Sequence, residues 1–137
     1  ATLRAYLEGN PTSNITYIGK LSRTHYLALL GAADIGLIST TPHLTVPTFP
    51  SKSIDYFRTR LPIFAAVERA GDYGYILEND IGGGLAAPAE DREQMAAKLT
   101  QLVTDAALRA RCAEAGHAYY ANHLTADKAL ENLDKLL

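Results

Sequence analysis

The sequence has 137 residues, enough for one domain with its own hydrophobic core, and its apolar content of 47% and charged content of 20% are ordinary for a soluble globular protein. A net charge of -2 gives no support for binding to nucleic acid or to an anionic membrane through overall charge. The single cysteine, Cys112, excludes an intrachain disulfide and fits a reducing compartment, so we expect a cytoplasmic protein.

The first part of the chain predicts alternating helices and strands. Residues 2–8 have a helical pattern, and residues 14–18, Asn-Ile-Thr-Tyr-Ile, predict a strand because they are mostly β-branched or aromatic. Ser22 or Thr24 can cap the helix that follows. Residues 34–39 are almost continuously apolar, a pattern typical of a parallel strand covered on both faces.

The second part of the chain continues this alternation and ends in helices. Residues 40–49 contain two prolines and no hydrophobic period, which predicts a loop, and a helix follows it. We then expect a strand over residues 61–67, a short helix over 72–79, and a last strand after a glycine-rich turn at 82–84. Three helical segments complete the chain, at residues 91–103, 106–122 and 126–137, the last with Thr125 as its cap.

Strands and helices that alternate at this spacing predict an α/β fold with a parallel sheet, right-handed crossovers and a helical C-terminal segment. Ligands of such sheets bind beyond the carboxyl ends of the strands. Gly19, the loop after Ser39 and the turn after Val67 should therefore gather at one edge, which is where we expect a site. No apolar run is long enough to cross a bilayer, and no pattern of a signal peptide is present.

The stretch over residues 47–57 is the strongest candidate for that site. Pro50 suits the first turn of a helix, where its missing N–H group would be unsatisfied in any case. The free N–H groups at the helix start, together with Ser51 and Lys52, favour an anion such as a phosphate. Asp55 lies one turn further along. This combination predicts a phosphorylated ligand that also carries hydroxyl groups.

Each of these residues also has a simpler interpretation. Lys52 can be a solvated lysine, although the helix dipole disfavours a cation at this end and so favours the anion contact. Asp55 can be a surface carboxylate that pairs with Arg58 or Arg60, and Ser51 can be a helix cap and nothing more. The four histidines have no metal-ligand spacing, and we place no catalytic nucleophile, acid or base, so we predict no metal and no catalytic residue in this chain.

Several segments together resemble the C-terminal, donor-binding half of a GT-B fold glycosyltransferase, of the group 1 family of glycosyl transferases. Residues 50–57, Pro-Ser-Lys-Ser-Ile-Asp-Tyr-Phe, followed by Leu-Pro-Ile-Phe-Ala at 61–65, are similar to the family's signature of Pro-Ser-Lys, an acidic residue and Tyr, then Gly-x-Pro-Val/Ile. The segments at residues 14–19, 27–38, 82–96 and 102–111 are similar to further family passages. The likeness covers nearly the whole chain.

The resemblance implies a Rossmann-like domain over residues 1–137 that binds a nucleotide sugar such as a UDP- or GDP-linked hexose and needs no other cofactor. By that likeness, Thr48, Phe49, Pro50, Ser51 and Lys52 would face the diphosphate and the sugar. Asp55 would contact the ribose hydroxyls, and Gly19, Lys20 and Leu21 would lie against the base.

The resemblance also implies a retaining transferase that acts in polysaccharide or glycoconjugate synthesis. The sequence starts with Ala1 rather than Met and goes directly into a helical pattern, so we expect a fragment without its N-terminal GT-B half, through which any membrane contact would occur. The family's first carboxylate is replaced by Pro47, and the Arg and Lys that neutralise the leaving diphosphate are expected in the missing part. We therefore predict that the isolated chain is inactive, and the alternative is a non-catalytic Rossmann-like interaction module.

Overall fold

A computed structural model describes residues 3–11 and 14–135, and its centre is a three-stranded parallel sheet with helices on both faces. The strands are β1 (Gly36–Ser39), β2 (Ile63–Val67) and β3 (Gly84–Pro88), in the spatial order β1-β2-β3. Gly36 pairs with Ile63, and Ile63 pairs with Gly84, so the three strands start level with one another. The central strand is buried at every position.

Helices make up most of the rest of the described chain. They are α1 (Leu3–Gly9), α2 (Arg23–Ala32), α3 (Lys52–Arg58), α4 (Tyr73–Tyr75, continued by a π-helical segment over Ile76–Ile81), α5 (Arg92–Thr104), α6 (Ala106–Tyr119, continued by a π-helical segment over Tyr120–Leu124) and α7 (Ala126–Asp134). No helix in residues 3–11 and 14–135 is both long and apolar enough to cross a membrane.

The alternating side chains of β2 divide the core into two layers. Ile63, Ala65 and Val67 pack with Tyr56 and Phe57 of α3 on one face. On the other face Phe64 and Ala66 pack with Leu102 of α5 and Cys112 of α6. Burial of both faces explains why this strand has a continuous apolar sequence rather than an alternating one.

The predicted α/β class with a parallel sheet and a helical C-terminal segment is confirmed. Local signals placed two helix starts correctly, because a side-chain oxygen at the cap accepts a free N–H of the first turn. Ser22 accepts from the His25 N–H at 3.3 Å, and Thr125 accepts from the Lys128 N–H at the same distance. Both residues precede the first residue of their helices.

Two predictions about strands are wrong. Residues 14–18 form no strand, and Ile15, Tyr17 and Ile18 are about half exposed, because this segment has no place in the three-stranded ladder that the structure describes. The strand predicted over residues 34–39 is β1, but it is covered on one face only. Leu37 is 57% exposed because α5 and α6 pack over β2 and β3 and leave this face of the edge strand open.

Candidate functional site

The residues predicted to bind a ligand lie at the carboxyl-end edge of the sheet. The loop over residues 40–49 leaves β1 at this edge, and α3 begins where the loop ends. The loop is attached to the neighbouring strand, since the Thr40 N–H donates to the Ala66 carbonyl at 3.0 Å. It also reaches the start of α4, where Phe49 meets the ring of Tyr73 edge-on, with 5.2 Å between the ring centroids.

Helix α3 is fixed by its buried side. Ser53 and Phe57 are almost completely buried, and the Ser53 hydroxyl forms a hydrogen bond of 2.7 Å with the Tyr73 hydroxyl. The Tyr56 hydroxyl donates to the Leu37 carbonyl of β1 at 3.1 Å. These contacts tie α3 to both α4 and the sheet, and Lys52 lies on the exposed side at the first helical position.

The start of α3 differs in detail from the prediction. Pro50 is not in the first helical turn but lies two residues before Lys52, and its carbonyl accepts the Ser53 N–H at 3.0 Å. Ser51 occupies the cap position without a capping hydrogen bond from its side chain. Thr48 is exposed, and no described group forms an ion pair or a hydrogen bond with the Lys52 side chain.

Asp55 is held by a residue that the sequence did not indicate. Arg23, the first residue of α2, donates to both carboxylate oxygens of Asp55, at 2.5 and 2.7 Å. The hydrogen bonds from Arg23 hold the pKa of the Asp55 carboxyl below its usual range, against the opposing effect of partial burial. The proposed alternative partners were wrong: Arg60 pairs with Glu114 at 2.5 Å, and Arg58 contributes only a weaker attraction.

The third predicted group, Gly19, Lys20 and Leu21, forms the turn that leads into α2. Gly19 has φ +81°, a left-handed conformation that glycine adopts without strain, and Lys20 is exposed. The turn lies within four residues of Arg23, so the contact between Arg23 and Asp55 brings it to the same edge as the start of α3. The three predicted groups therefore share one edge, with a bidentate ion pair between two of the helix starts.

Sequence reasoning missed two further residues at this edge. Arg23 has no local signal that relates it to Asp55, which lies 32 positions along the chain. Glu68 directly follows the buried strand β2 and is itself buried, and the Thr40 hydroxyl donates to its carboxylate. A carboxylate immediately after a predicted buried strand was the available signal. Within residues 3–11 and 14–135, no three His, Cys, Asp or Glu side chains come close enough together to hold a metal ion.

Comparisons with known proteins give no further assignment. No family model matches the sequence, and neither a curated protein nor a solved structure is significantly similar to it.

Proposed function

We propose that this chain is the donor-binding half of a retaining glycosyltransferase of the GT-B fold, which transfers a hexosyl unit from a UDP- or GDP-sugar to a glycan or glycolipid acceptor. The proposal is supported mainly by one observation: α2 and α3 begin next to each other at the carboxyl-end edge of a parallel sheet. Arg23 of α2 and Asp55 of α3 join them, and Lys52 remains exposed beside them. Ligands of parallel α/β sheets bind at such an edge.

The chemistry of this edge fits the parts of a nucleotide sugar. Lys52 offers a cation without a competing carboxylate in the described part of the chain, which suits a diphosphate facing residues 48–52. Asp55 offers carboxylate oxygens to ribose hydroxyls, and Arg23 would share or release them when the ligand binds. The turn over residues 19–21 supplies backbone groups for the base.

Sugar transfer would require a second, partner domain in this proposal. The described edge holds a donor, but no acid, base or nucleophile is assigned to it, and the leaving diphosphate needs more positive charge than Lys52 alone provides. A second Rossmann-like half would supply those groups and the acceptor site, and it would close over the donor and exclude water. The 137 residues alone are expected to bind a donor without turning it over.

Calorimetric titration of the chain with UDP and with GDP tests the proposal. Lys52→Ala should weaken binding of the preferred nucleotide about tenfold or more, because it removes a charge-assisted contact to phosphate. Lys135→Ala is the matched control, since Lys135 is an exposed lysine at the end of α7, far along the chain from the site. Equal affinities for the two variants, or no binding of either nucleotide, would contradict the proposal.

One observation favours a second candidate, a non-catalytic interaction module. The Asp55 carboxylate is already satisfied by Arg23, and Pro47 stands where the family has its first carboxylate. If the ion pair is structural only, Asp55→Asn should lower stability without affecting nucleotide recognition.

Two measurements separate the candidates. A donor-binding domain should prefer UDP or GDP over its 2′,3′-dideoxy analogue, and Asp55→Asn should remove that preference. An interaction module should show neither the preference nor any rise in melting temperature with a panel of nucleotide sugars.

A further inference from the structure

A separate cleft of about 260 Å³ opens on the same edge of the sheet, at the carboxyl ends of β2 and β3 and between α4 and α5. None of residues 19–21, 48–52 or 55 lines it. The side chains and backbone that matter for its chemistry belong to Glu68, Gly71, Tyr75, Glu78, Gln94 and Lys98.

Glu68 presents an unused acceptor in this cleft. The residue is 4% exposed, and its Oε2 accepts from the Thr40 hydroxyl, whose oxygen in turn accepts the Glu68 N–H at 3.0 Å. Its Oε1 accepts no hydrogen bond from any group in residues 3–11 or 14–135. In that same part of the chain, every fully buried side-chain oxygen has a hydrogen-bond partner. Because Oε1 has none, it is not fully buried, and Glu68 is one of the residues that line the cleft.

A glycine, Gly71, lies next to this oxygen in the cleft. A Cβ atom added at Gly71 would lie 2.7 Å from Glu68 Oε1, so any larger residue at this position would crowd the acceptor. Gly74 also lines the cleft, and a Cβ atom added there would lie 3.2 Å from Ala86 Cβ and 3.3 Å from Val67 Cγ2. The absence of a side chain at Gly71 therefore keeps the carboxylate accessible.

Three of the four charged side chains that line the cleft are already in ion pairs. Glu78 Oε1 accepts from Lys98 Nζ at 2.5 Å and from the Ala86 N–H at 2.7 Å, and Arg69 pairs with Glu90 at 2.5 Å. Two carboxylates and two cations line the cleft, and Glu68 is the one among them without an ion pair in residues 3–11 and 14–135. An anionic ligand would have to break a pair that is already formed, whereas a neutral ligand would not. A cationic ligand could reach Glu68 without breaking a pair, so a cation belongs in the test as a comparison.

Tyr75 adds a flat apolar surface, since it lines the cleft and is 65% exposed. A volume of about 260 Å³ is slightly below the range typical of sites for drug-sized molecules and suits a single small ring. A monosaccharide or cyclitol has hydroxyl donors for Glu68 and apolar C–H groups for an aromatic face. We propose that this cleft binds a neutral, polyhydroxylated ring, with Glu68 Oε1 as its principal acceptor and Tyr75 as its stacking surface.

The site does not depend on nucleotide binding, and its test does not either. The full chain, labelled with ¹⁵N, is titrated separately with D-glucose, D-galactose, D-mannose, myo-inositol and, as a cationic comparison, methylammonium chloride. At least one polyol should shift the amide signals of Gly71, Tyr75 and Ala86 in a saturable manner. Saturating UDP should leave that affinity unchanged.

Three variants define the outcome. Tyr75→Ala, which removes a mostly exposed ring, and Glu68→Gln should each weaken polyol binding at least fivefold. Asp80→Asn should not, because it makes the same type of change at an exposed position outside the cleft. If Glu68→Gln does not fold, Tyr75→Ala alone decides. The proposal is overturned if only methylammonium binds, if no polyol shifts these amides, if UDP displaces the polyol, or if Tyr75→Ala binds like the wild type.

Discussion

Arg23 and Asp55 form a bidentate ion pair that joins the first residue of α2 to the first turn of α3, with nitrogen–oxygen distances of 2.5 and 2.7 Å. The Arg23 side chain is 59% exposed and that of Asp55 is 17% exposed, so solvent screens the pair from one side only. The guanidinium also lies 5.7 Å from the centroid of the Tyr26 ring. The pair fixes the relative positions of two helix starts at the candidate site.

The first prediction concerns the loss of stability at low pH. Because Arg23 lowers the pKa of Asp55 in the folded state, the pair contributes stability above the unfolded pKa of about 3.9, and this contribution is lost as pH falls through the folded pKa. Arg23→Ala should raise the pKa of Asp55, measured by ¹³C NMR of its carboxyl group. Arg60→Ala, which breaks the pair with Glu114 instead, is the control. Identical Asp55 titrations in the wild type and in Arg23→Ala would refute the prediction.

The order and type of most elements were predictable because they depend on local patterns. The apolar run at residues 61–67 indicated β2, and the caps Ser22 and Thr125 marked helix starts, since cap chemistry acts within three residues. The strand predicted at residues 14–18 fails because β propensity describes a side chain's fit to a sheet and does not supply the neighbouring strand. The exposure of Leu37 was not predictable either, because it depends on where α5 and α6, which are distant in the sequence, pack on the sheet.

The candidate site was predictable in position but not in its contacts. The rule that ligands meet the carboxyl ends of parallel strands placed residues 48–55 at this edge, because they follow β1. Residues 19–21 were placed there as the end of a strand that does not form, and they reach the edge because they precede α2. The partner of Asp55 was not predictable, because Arg23 becomes its neighbour only after α2 and α3 have packed. The cleft is hidden in the sequence for the same reason: Glu78 and Lys98 are 20 residues apart and meet only across α4 and α5.

The second prediction concerns the buried hydrogen bond between Ser53 and Tyr73. Tyr73→Phe leaves the fully buried Ser53 hydroxyl without its partner and should lower the free energy of unfolding by about 1–3 kcal/mol. Ser53→Ala should have a similar cost. The double variant should lose less than the sum of the two single losses, because neither hydroxyl then remains unpaired. Urea denaturation measures all four proteins, and strictly additive losses would count against a direct bond.

The third prediction concerns the loss of stability at high pH. Burial raises the pKa of Tyr73 to about 12, partly opposed by its hydrogen bond with Ser53. The unfolded pKa is about 10, so the contribution of this group is complete below about pH 10 and is lost as pH rises towards about 12. A difference of two units corresponds to about 3 kcal/mol. Urea denaturation at stepped pH should show this loss in the wild type, and a smaller loss in Tyr73→Phe. Equal slopes for the two proteins would contradict the assignment.

The fourth prediction compares one substitution at two helical glycines. A Cβ atom at Gly116 of α6 would lie 2.4 Å from Phe57 Cδ1, and one at Gly83 would lie 2.6 Å from Cε1 of the same ring. Because the ring is 1% exposed and has glycine on two sides, it has little room to move away. Gly116→Ala should therefore lower the free energy of unfolding by about 1–3 kcal/mol.

Gly31 of α2 is the matched control for Gly116, since a Cβ atom there meets nothing within 4 Å. Gly31→Ala should raise the free energy of unfolding by about 0.5–1 kcal/mol, because alanine loses less backbone entropy in a helix than glycine does. Urea denaturation of both variants under one set of conditions gives the comparison. A rise in the free energy of unfolding at both positions would show that helix propensity, rather than contact with Phe57, governs Gly116. Opposite signs would establish the close approach of α6 to α3 at this ring.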